Sequence, residues 1–221
     1  MGEVVVLAGG DPPPATRVAA WRAALSASPP DQVIAADGGL SLAAPLGLTV
    51  DLVVGDLDSV SADDLAAAQD AGARVERHPV AKDATDLALA LDAATTSVTV
   101  IGGGGGRADH ELALWLLLAS PRYADLALHA WSPRATIDVV RPGRTSTLAG
   151  VPGELCSLLP VHGAAGGVRT CGLRYPLSDE TLVAGTSRGV SNQLTATEAS
   201  VSCAHGVLLV VRPGDTGPAQ G

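Results

Sequence analysis

The stretch Ser97–Ala119, SVTVIGGGGGRADHELALWLLLA, joins a β-branched apolar run to a segment of helical length through five consecutive glycines. A strand, a tight loop and a helix in that order are typical of a parallel sheet covered by helices. The same alternation recurs from residue 3 to about residue 130. It predicts strands at Glu3–Leu7, Gln32–Ala35, Leu52–Val54, Arg74–Glu76, Val98–Ile101 and Leu126–His129. It predicts helices at Ala15–Ala27, Leu40–Leu46, Ala62–Ala71, Thr85–Ala94 and Asp109–Ala119.

The pattern changes after about Pro133, where the helical period disappears. Short apolar runs then alternate with Gly, Pro and Asn turns, which is typical of a β-sandwich or barrel. The runs are Thr136–Val140, Leu155–Leu159, Thr181–Ala184, Thr195–Ser202 and Val207–Val211. We therefore predict an α/β domain at residues 1–132 and an all-β domain at residues 133–221.

The bulk composition excludes several classes of protein. Hydrophobic residues make up 47% of the 221 residues, which indicates a globular protein and not a disordered one. The formal net charge of −9 disfavours binding to nucleic acid or to an anionic membrane. The three cysteines form no CxxC pair, so we expect neither a disulfide framework nor a zinc site. No stretch has the pattern of a signal peptide or a membrane span, and we expect a cytoplasmic protein.

The first candidate site is Gly55-Asp56-Leu57-Asp58-Ser59, which follows an apolar run ending at Val54. Carboxylates at positions i and i+2 of an extended segment point the same way. Two such charges repel each other unless a cation lies between them, and Mg²⁺ prefers oxygen ligands of this kind. A solvated turn, with Asp and Ser as capping residues, is the alternative.

The second candidate is Lys82-Asp83-Ala84-Thr85-Asp86, at the start of a predicted helix. Lys82 is the only lysine in the chain, and an ammonium beside carboxylates is a compact phosphate-binding charge. In the alternative interpretation, Asp83 is the N-cap and Asp86 the third residue of a capping box.

The third candidate is the loop Gly102–Gly106 with Arg107, Asp109 and His110 after it. Consecutive glycines expose backbone N–H groups, and the following helix presents its positive end to an anion. The spacing is neither that of a P-loop nor that of the usual dinucleotide fingerprint. Arg107 is a candidate phosphate contact. A flexible linker with a surface arginine is the alternative.

Two weaker signals complete the set. Gly9-Gly10 and Asp37-Gly38-Gly39 each follow a predicted strand, where glycine permits close approach to a ligand and Asp37 could bind a ribose or a metal-bound water. In the second half, the segments Gly172–Leu177 and Gly185–Asn192 are polar exceptions among apolar strands. Tight turns explain the first feature equally well, and on the residues alone ordinary turn chemistry is the better explanation of the second.

Taken together, these motifs resemble the thiamine pyrophosphokinase family over nearly the whole chain. GDLDS, KDATD and GGRADH fall in that family's order and rough spacing, and GLRYPL followed by GTSRGVSNQ resembles its C-terminal signature. The resemblance implies a Rossmann-like nucleotide-binding domain followed by a β-sandwich. It also implies a homodimer with thiamine bound between the subunits, and transfer of pyrophosphate from ATP to thiamine with Mg²⁺.

The resemblance further implies roles for particular residues. The catalytic and metal-binding candidates are Asp56, Asp58, Asp83 and Asp86. The candidate ATP contacts are Asp37, Gly38, Lys82, Gly105, Arg107 and Asp109. The candidate thiamine contacts are Ser187, Ser191 and Asn192.

The chain departs from the family pattern at several positions. Leu114 stands where the family often has asparagine, and Gln193 stands where it usually has glutamate. Aromatic side chains for the thiamine rings are also scarce, with Tyr175 and Trp131 the main candidates in that half. The alternatives are therefore a pyrophosphokinase for another alcohol such as a hydroxymethylpterin, a nucleotide- or thiamine-binding sensor without turnover, or a Mg²⁺-dependent phosphatase.

Overall fold

The computed structural model describes residues 2–105 and 107–214. The chain divides into two compact units. The first, here called the α/β unit, comprises Met1–Leu114 and Asp125–Pro133, and the second, the β unit, comprises Trp115–Ala124 and Arg134–Gly221. Among the described residues, no helix is both long and apolar enough to cross a membrane.

The α/β unit is built on six parallel strands in the order β4-β3-β2-β1-β5-β6. The strands are β1 (Glu3–Ala8), β2 (Gln32–Ala36), β3 (Leu52–Gly55), β4 (Arg74–Arg77), β5 (Ser97–Gly102) and β6 (Ala127–Trp131). The helices are α1 (Ala15–Ala27), α2 (Ala43–Leu46), α3 (Ala62–Asp70), α4 (Asp86–Asp92) and α5 (Ala108–Leu118), the last of which continues into the β unit.

The central strands of this sheet are buried on both faces, as expected for a parallel sheet covered by helices. Val4 to Ala8 of β1 are all buried, and Val5 lies opposite Val33 of β2 and Thr99 of β5. The predicted alternation of strands and helices is confirmed, with most bounds within one or two residues.

One predicted helix has a different form. The segment Leu40–Leu46 was expected to be a single helix, but a 3₁₀ segment, Asp37–Leu42, leads into the short α2. The chain turns directly at the end of β2 because Gly39 packs against the backbone of β1. A side chain at Gly39 would overlap the carbonyl oxygen of Leu7.

The β unit contains antiparallel strands in the order β7-β13-β9-β12-β8, with β10 and β11 also paired to β9. They are β7 (Ala135–Val140), β8 (Thr145–Ala149), β9 (Leu155–Cys171), β10 (Ser178–Leu182), β11 (Asn192–Gln193), β12 (Glu198–Ser202) and β13 (His205–Pro213). The predicted all-β second half is confirmed. Its core is aliphatic and includes Leu148, Leu158, Leu182 and Leu208.

The long strand β9 extends far beyond its predicted bounds. The apolar pattern predicts a strand only at Leu155–Leu159, yet β9 is 17 residues long and continues through a glycine- and alanine-rich segment to Cys171. Pairing with β13, β10 and β12 stabilises the segment that local propensity does not favour. Within the described residues, β9 therefore pairs with every other strand of this unit except β7 and β8.

Candidate active site

An acidic group lies at the carboxyl ends of two neighbouring strands. Asp37 directly follows β2, and Asp56 and Asp58 follow β3, which pairs with β2 in parallel. One oxygen atom of each carboxylate lies within 4.8 Å of those of the other two. The carboxyl ends of parallel strands are where ligands bind in sheets of this kind, so the fold places this group at a natural binding position.

The backbone of these loops is held in unusual conformations. Asp37 has φ 46° and Leu57 has φ 63°, both in the left-handed region that non-glycine residues rarely adopt. The turn at Leu57 buries that side chain, while Asp58 remains exposed. Asp37 Oδ2 accepts a short hydrogen bond from Ser59 Oγ. Such strain is most common at functional sites, where the surrounding structure maintains it.

Lys82 connects this group to a fourth carboxylate. Its Nζ donates a hydrogen bond to Asp56 Oδ2 at 3.1 Å and lies 2.9 Å from Asp86 Oδ1. The second contact is an ion pair that places the ammonium charge directly against the buried Asp86 Oδ1. The lysine side chain is only 14% exposed.

The capping-box interpretation of this segment is wrong. Helix α4 begins at Asp86, and its N-cap is Thr85, whose Oγ1 accepts a hydrogen bond from Ala88 N at 3.2 Å. Asp86 is therefore the first helical residue and not the third, and its carboxylate is directed to Lys82. Asp83 is exposed in the loop before the helix.

The charges of the group shift the pKa values of its members in opposite directions. The hydrogen bond from Lys82 lowers the pKa of Asp56. The charge of Asp56, with some contribution from burial and from Asp37, raises the pKa of Asp58. Burial alone would lower the pKa of Lys82, but its contacts with Asp86 and Asp56 outweigh that effect and raise it. The charge of Asp58 is thus opposed by its acidic neighbours.

The residues present fit a hard divalent cation. Asp37 Oδ1 is buried and has no hydrogen-bond donor in the described structure. Orphaned carboxylate oxygens are costly unless a cation or water satisfies them. Of the four predicted metal ligands, Asp56 and Asp58 lie in the group of three, and Asp37, which the sequence grouped with the ATP contacts, joins them. Asp86 forms an ion pair with Lys82, which also forms an ion pair with Asp56 of this group.

The glycine loop after β5 is attached to the end of β1. Gly103 N donates to Ala8 O at 3.3 Å, and Asp11 N donates to Gly104 O at 3.1 Å. The loop packs so closely that a Cβ at Gly10 would lie 2.7 Å from Gly104 O. The described part of this loop is therefore held in place, unlike a flexible linker. Gly106 lies outside the described residues.

Arg107 and Asp109 pair with each other. Arg107 donates two hydrogen bonds to Asp109, at 3.1 and 2.6 Å, and both side chains are mostly exposed. The arginine lowers the pKa of Asp109 to about 2. Among the described hydrogen bonds and ion pairs, neither residue is bonded to Asp56, Asp58 or Lys82, so these two predicted ATP contacts lie outside the acidic group.

The β unit contains a separate pocket of about 200 Å³. Seven residues from two segments line it: Tyr175, Leu177, Ser187, Arg188, Gly189, Val190 and Asn192. The predicted thiamine contacts Ser187 and Asn192 are among them, whereas Ser191 is not and its N–H donates to Ser157 Oγ instead. The sequence did not single out Leu177, Arg188 and Val190, although all three lie within the two polar segments already noted.

Asn192 is the most buried polar residue of this pocket, with 2% of its surface exposed. Its Oδ1 accepts from Tyr175 N at 3.0 Å and from Gln193 N at 2.9 Å, and its Nδ2 donates to Tyr175 O at 2.8 Å. The amide thus holds both backbone polar groups of Tyr175. Arg174 packs over the Tyr175 ring at 5.6 Å and donates to Gln193 Oε1 at 3.0 Å.

The pocket also contains a compensated positive charge. Arg188 forms a short ion pair with Glu180 of β10. Tyr175 and Val190, both substantially exposed, contribute an aromatic and an aliphatic surface. A few polar groups on a partly apolar surface are typical of small-molecule sites.

Comparison with known proteins gives consistent matches over both units. Residues 26–129 match the family model "Thiamin pyrophosphokinase, catalytic domain", and residues 140–208 match "Thiamin pyrophosphokinase, vitamin B1 binding domain". The thiamine pyrophosphokinase of Bacillus subtilis (strain 168) is 27% identical over 165 residues, which are 73% of this chain and 77% of that protein.

Solved structures agree on the fold. A crystal structure of thiamine pyrophosphokinase from Bacillus subtilis has a TM-score of 0.78 at 24% identity, over 96% of this chain and 99% of that one. That of Geobacillus thermodenitrificans has a TM-score of 0.76 at 24% identity, over 98% and 99%. The enzyme from Candida albicans is 15% identical and has a TM-score of 0.73, over 96% and 89%.

Proposed function

The chain belongs to the thiamine pyrophosphokinase family and is an enzyme of that kind, and on that premise we propose the reaction and the residues that perform it. The enzyme transfers the diphosphate group of ATP to the hydroxyl of thiamine, giving thiamine diphosphate and AMP. The thiamine oxygen forms the new bond to the β-phosphorus, and the bond from that phosphorus to the oxygen of AMP breaks. The observation that carries the proposal is the acidic group at the strand ends of the α/β unit.

Asp37, Asp56 and Asp58 are the residues that would hold Mg²⁺. When bound, the ion would supply the positive charge that the ATP phosphates and these carboxylates both need. Asp37 Oδ1 supports this role because it is buried without a donor. Asp83 and Asp86 remain candidates for contacts around this site. Catalysis would come mainly from positioning of the substrates and neutralisation of charge.

ATP would bind along the carboxyl ends of the parallel strands. Gly38 and Gly105 permit close approach of the backbone, and Lys82, Arg107 and Asp109 are the candidate side-chain contacts. The described part of the glycine loop supports this placement because its backbone is already held against the end of β1, so that little entropy is lost when a phosphate binds beside it.

The pocket of the β unit would bind thiamine. Tyr175 offers an aromatic surface for the rings, and Ser187 offers a hydroxyl for the aminopyrimidine. Thiamine is a cation, and the pairing of Arg188 with Glu180 reduces the repulsion that a free arginine would cause. Ser191 remains a candidate contact beside this pocket.

We further propose a cytoplasmic homodimer in which the β unit of one subunit and the α/β unit of the other complete each active site. Mixed dimers test this arrangement. A heterodimer of Asp58→Asn with a Tyr175→Ala, Ser187→Ala double variant should recover up to about half of wild-type activity, although both parent homodimers are nearly inactive. A heterodimer as inactive as its parents would reject the shared site.

The reaction itself is tested by product analysis. The protein is incubated with ATP, Mg²⁺ and thiamine, and the nucleotides and thiamine esters are separated by chromatography. We expect AMP and thiamine diphosphate in equal amounts, and more than a hundredfold less of both with Asp58→Asn.

Other products would identify the alternatives. ADP with thiamine monophosphate would indicate an ordinary kinase, and AMP formed only with a hydroxymethylpterin would indicate a different acceptor. The absence of AMP with every acceptor would favour a sensor, and phosphate release without an acceptor would favour a phosphatase.

A further inference from the structure

Lys82 lies where a cation would be expected. Its Nζ is about 3 Å from one oxygen of Asp56 and one oxygen of Asp86, carboxylates that are 30 residues apart in the chain. Mg²⁺ binds carboxylate oxygens at about 2.1 Å, so the ammonium holds the two groups only about 1 Å further away than a metal would. Lys82 is mostly buried, with 14% of its side chain exposed.

The surroundings of Lys82 are strongly negative. Asp37 and Asp58 lie beside Asp56, and a Cβ at Gly55 would be 3.0 Å from both the Asp37 Cβ and Asp86 Oδ1. In the described ion pairs, Lys82 is the only cation that contacts any of these four aspartates. Without Lys82, no side-chain cation of the described ion pairs would lie between the carboxylates of Asp56 and Asp86.

We propose that Lys82 is a built-in counter-ion that takes the place of a second divalent cation, so that the nucleotide-free protein binds one such ion and not two. That one ion would be held by Asp37, Asp56 and Asp58. The inference rests on the proposed metal site, and it concerns the number of ions and not the reaction. A fixed ammonium keeps Asp56 and Asp86 in position before any substrate binds, and it does not depend on the free Mg²⁺ concentration.

The number of bound ions can be counted with Mn²⁺. Electron paramagnetic resonance of free Mn²⁺, titrated with nucleotide-free protein, should give one ion per chain for the wild type and for Lys82→Arg, which retains the positive charge. Lys82→Met has a similar length and no charge, and should bind two ions, the second at least tenfold more tightly than any second ion of the wild type. One ion in Lys82→Met, or none in the wild type, would overturn the proposal.

The chain offers a second test, in which the folded wild-type protein itself loses the positive charge. Because Lys82 is the only lysine, acetylation of the folded wild type neutralises one side chain besides the N-terminus, and intact mass reports its extent. Acetylated Lys82→Arg protein carries the modification at the N-terminus alone and is the matched control. We expect the second Mn²⁺ ion in the acetylated wild type and not in the control. Identical Mn²⁺ binding by the two would contradict the proposal.

The counting experiment and the product assay fail independently. If AMP and thiamine diphosphate form but Lys82→Met still binds one ion, the counter-ion role is wrong and the proposed function stands. If the ion count rises from one to two but no AMP forms, the counter-ion role stands and the proposed reaction is wrong.

Discussion

Replacing Asn192 by alanine should weaken the fold of the β unit first, and thiamine binding only as a consequence. The side chain is 2% exposed and makes three hydrogen bonds of 2.8 to 3.0 Å to the backbone of Tyr175 and Gln193. All of the acceptor and half of the donor capacity of its amide is used in this way. We therefore expect Asn192 to act on thiamine mainly by positioning Tyr175, whereas the family resemblance implies a direct thiamine contact.

The size of the effect follows from these contacts. Each hydrogen bond contributes about 1 kcal/mol to the free energy of unfolding, and an unpaired backbone group can cost more. Exposed Tyr175 regains water as a partner, which limits the loss. We expect a decrease of about 2–4 kcal/mol, which corresponds to roughly 5–15 °C in Tm for a protein of this size.

Differential scanning fluorimetry and steady-state kinetics measure the two consequences. Asn192→Ala should lower Tm by that amount, raise the KM for thiamine and leave the KM for ATP unchanged. Ser187→Ala is the control, because its exposed side chain should change the KM for thiamine but not the Tm. If Asn192 acts through Tyr175, adding Tyr175→Ala to Asn192→Ala should raise the KM for thiamine little further. A normal Tm with weaker thiamine binding, or fully additive effects, would refute this reasoning.

Three further predictions concern other parts of the chain. Asp58→Asn should raise the Tm of the metal-free protein at pH 7, because the raised pKa of Asp58 means that its charge opposes folding. This gain in Tm should vanish when the pH falls below 3.8, the ordinary pKa of an aspartate. The variant should also lose the Mg²⁺-dependent rise in Tm. At pH 8 a thiol reagent should titrate one fast thiol, absent in Cys171→Ser, because Cys171 is exposed whereas burial raises the pKa of Cys156 to about 11. In scanning fluorimetry, Gly39→Ala should lower Tm by more than 10 °C, because its Cβ would overlap Leu7 O. Gly9→Ala is the control: its Cβ would meet no atom closer than 3.4 Å, and its Tm should differ from that of the wild type by no more than about 2 °C.

The sequence was most informative where local chemistry decides the structure. β1 and β5 are mainly apolar, and all but the first residue of each strand is buried, as expected for a sheet covered on both faces. The acidic and glycine-rich segments do follow strands. These features depend on residues close together in the chain, so their pattern is visible without knowledge of the fold.

Features that depend on strand order were not predictable. Asp37 joins Asp56 and Asp58 because β2 pairs with β3, and a spacing of about 20 residues does not reveal this neighbour relation. The same holds for Lys82, whose partner Asp56 comes 26 residues earlier. The N-cap of α4 is Thr85 and not the predicted Asp83. Both residue types can cap a helix, so only the observed first residue of the helix distinguishes between them.

The position of β13 in its sheet has a consequence for biosynthesis. β13 pairs with both β7 and the long strand β9, yet β8 to β12 separate it from β7 in the chain. During synthesis on the ribosome, the edges of β7 and β9 that pair with β13 therefore remain unpaired until the residues up to 213 have been made. Strands β1 to β6 of the α/β unit are complete much earlier. We expect the nascent chain to acquire its α/β unit first, and the unpaired edges of β7 and β9 to be where chaperones bind and aggregation begins.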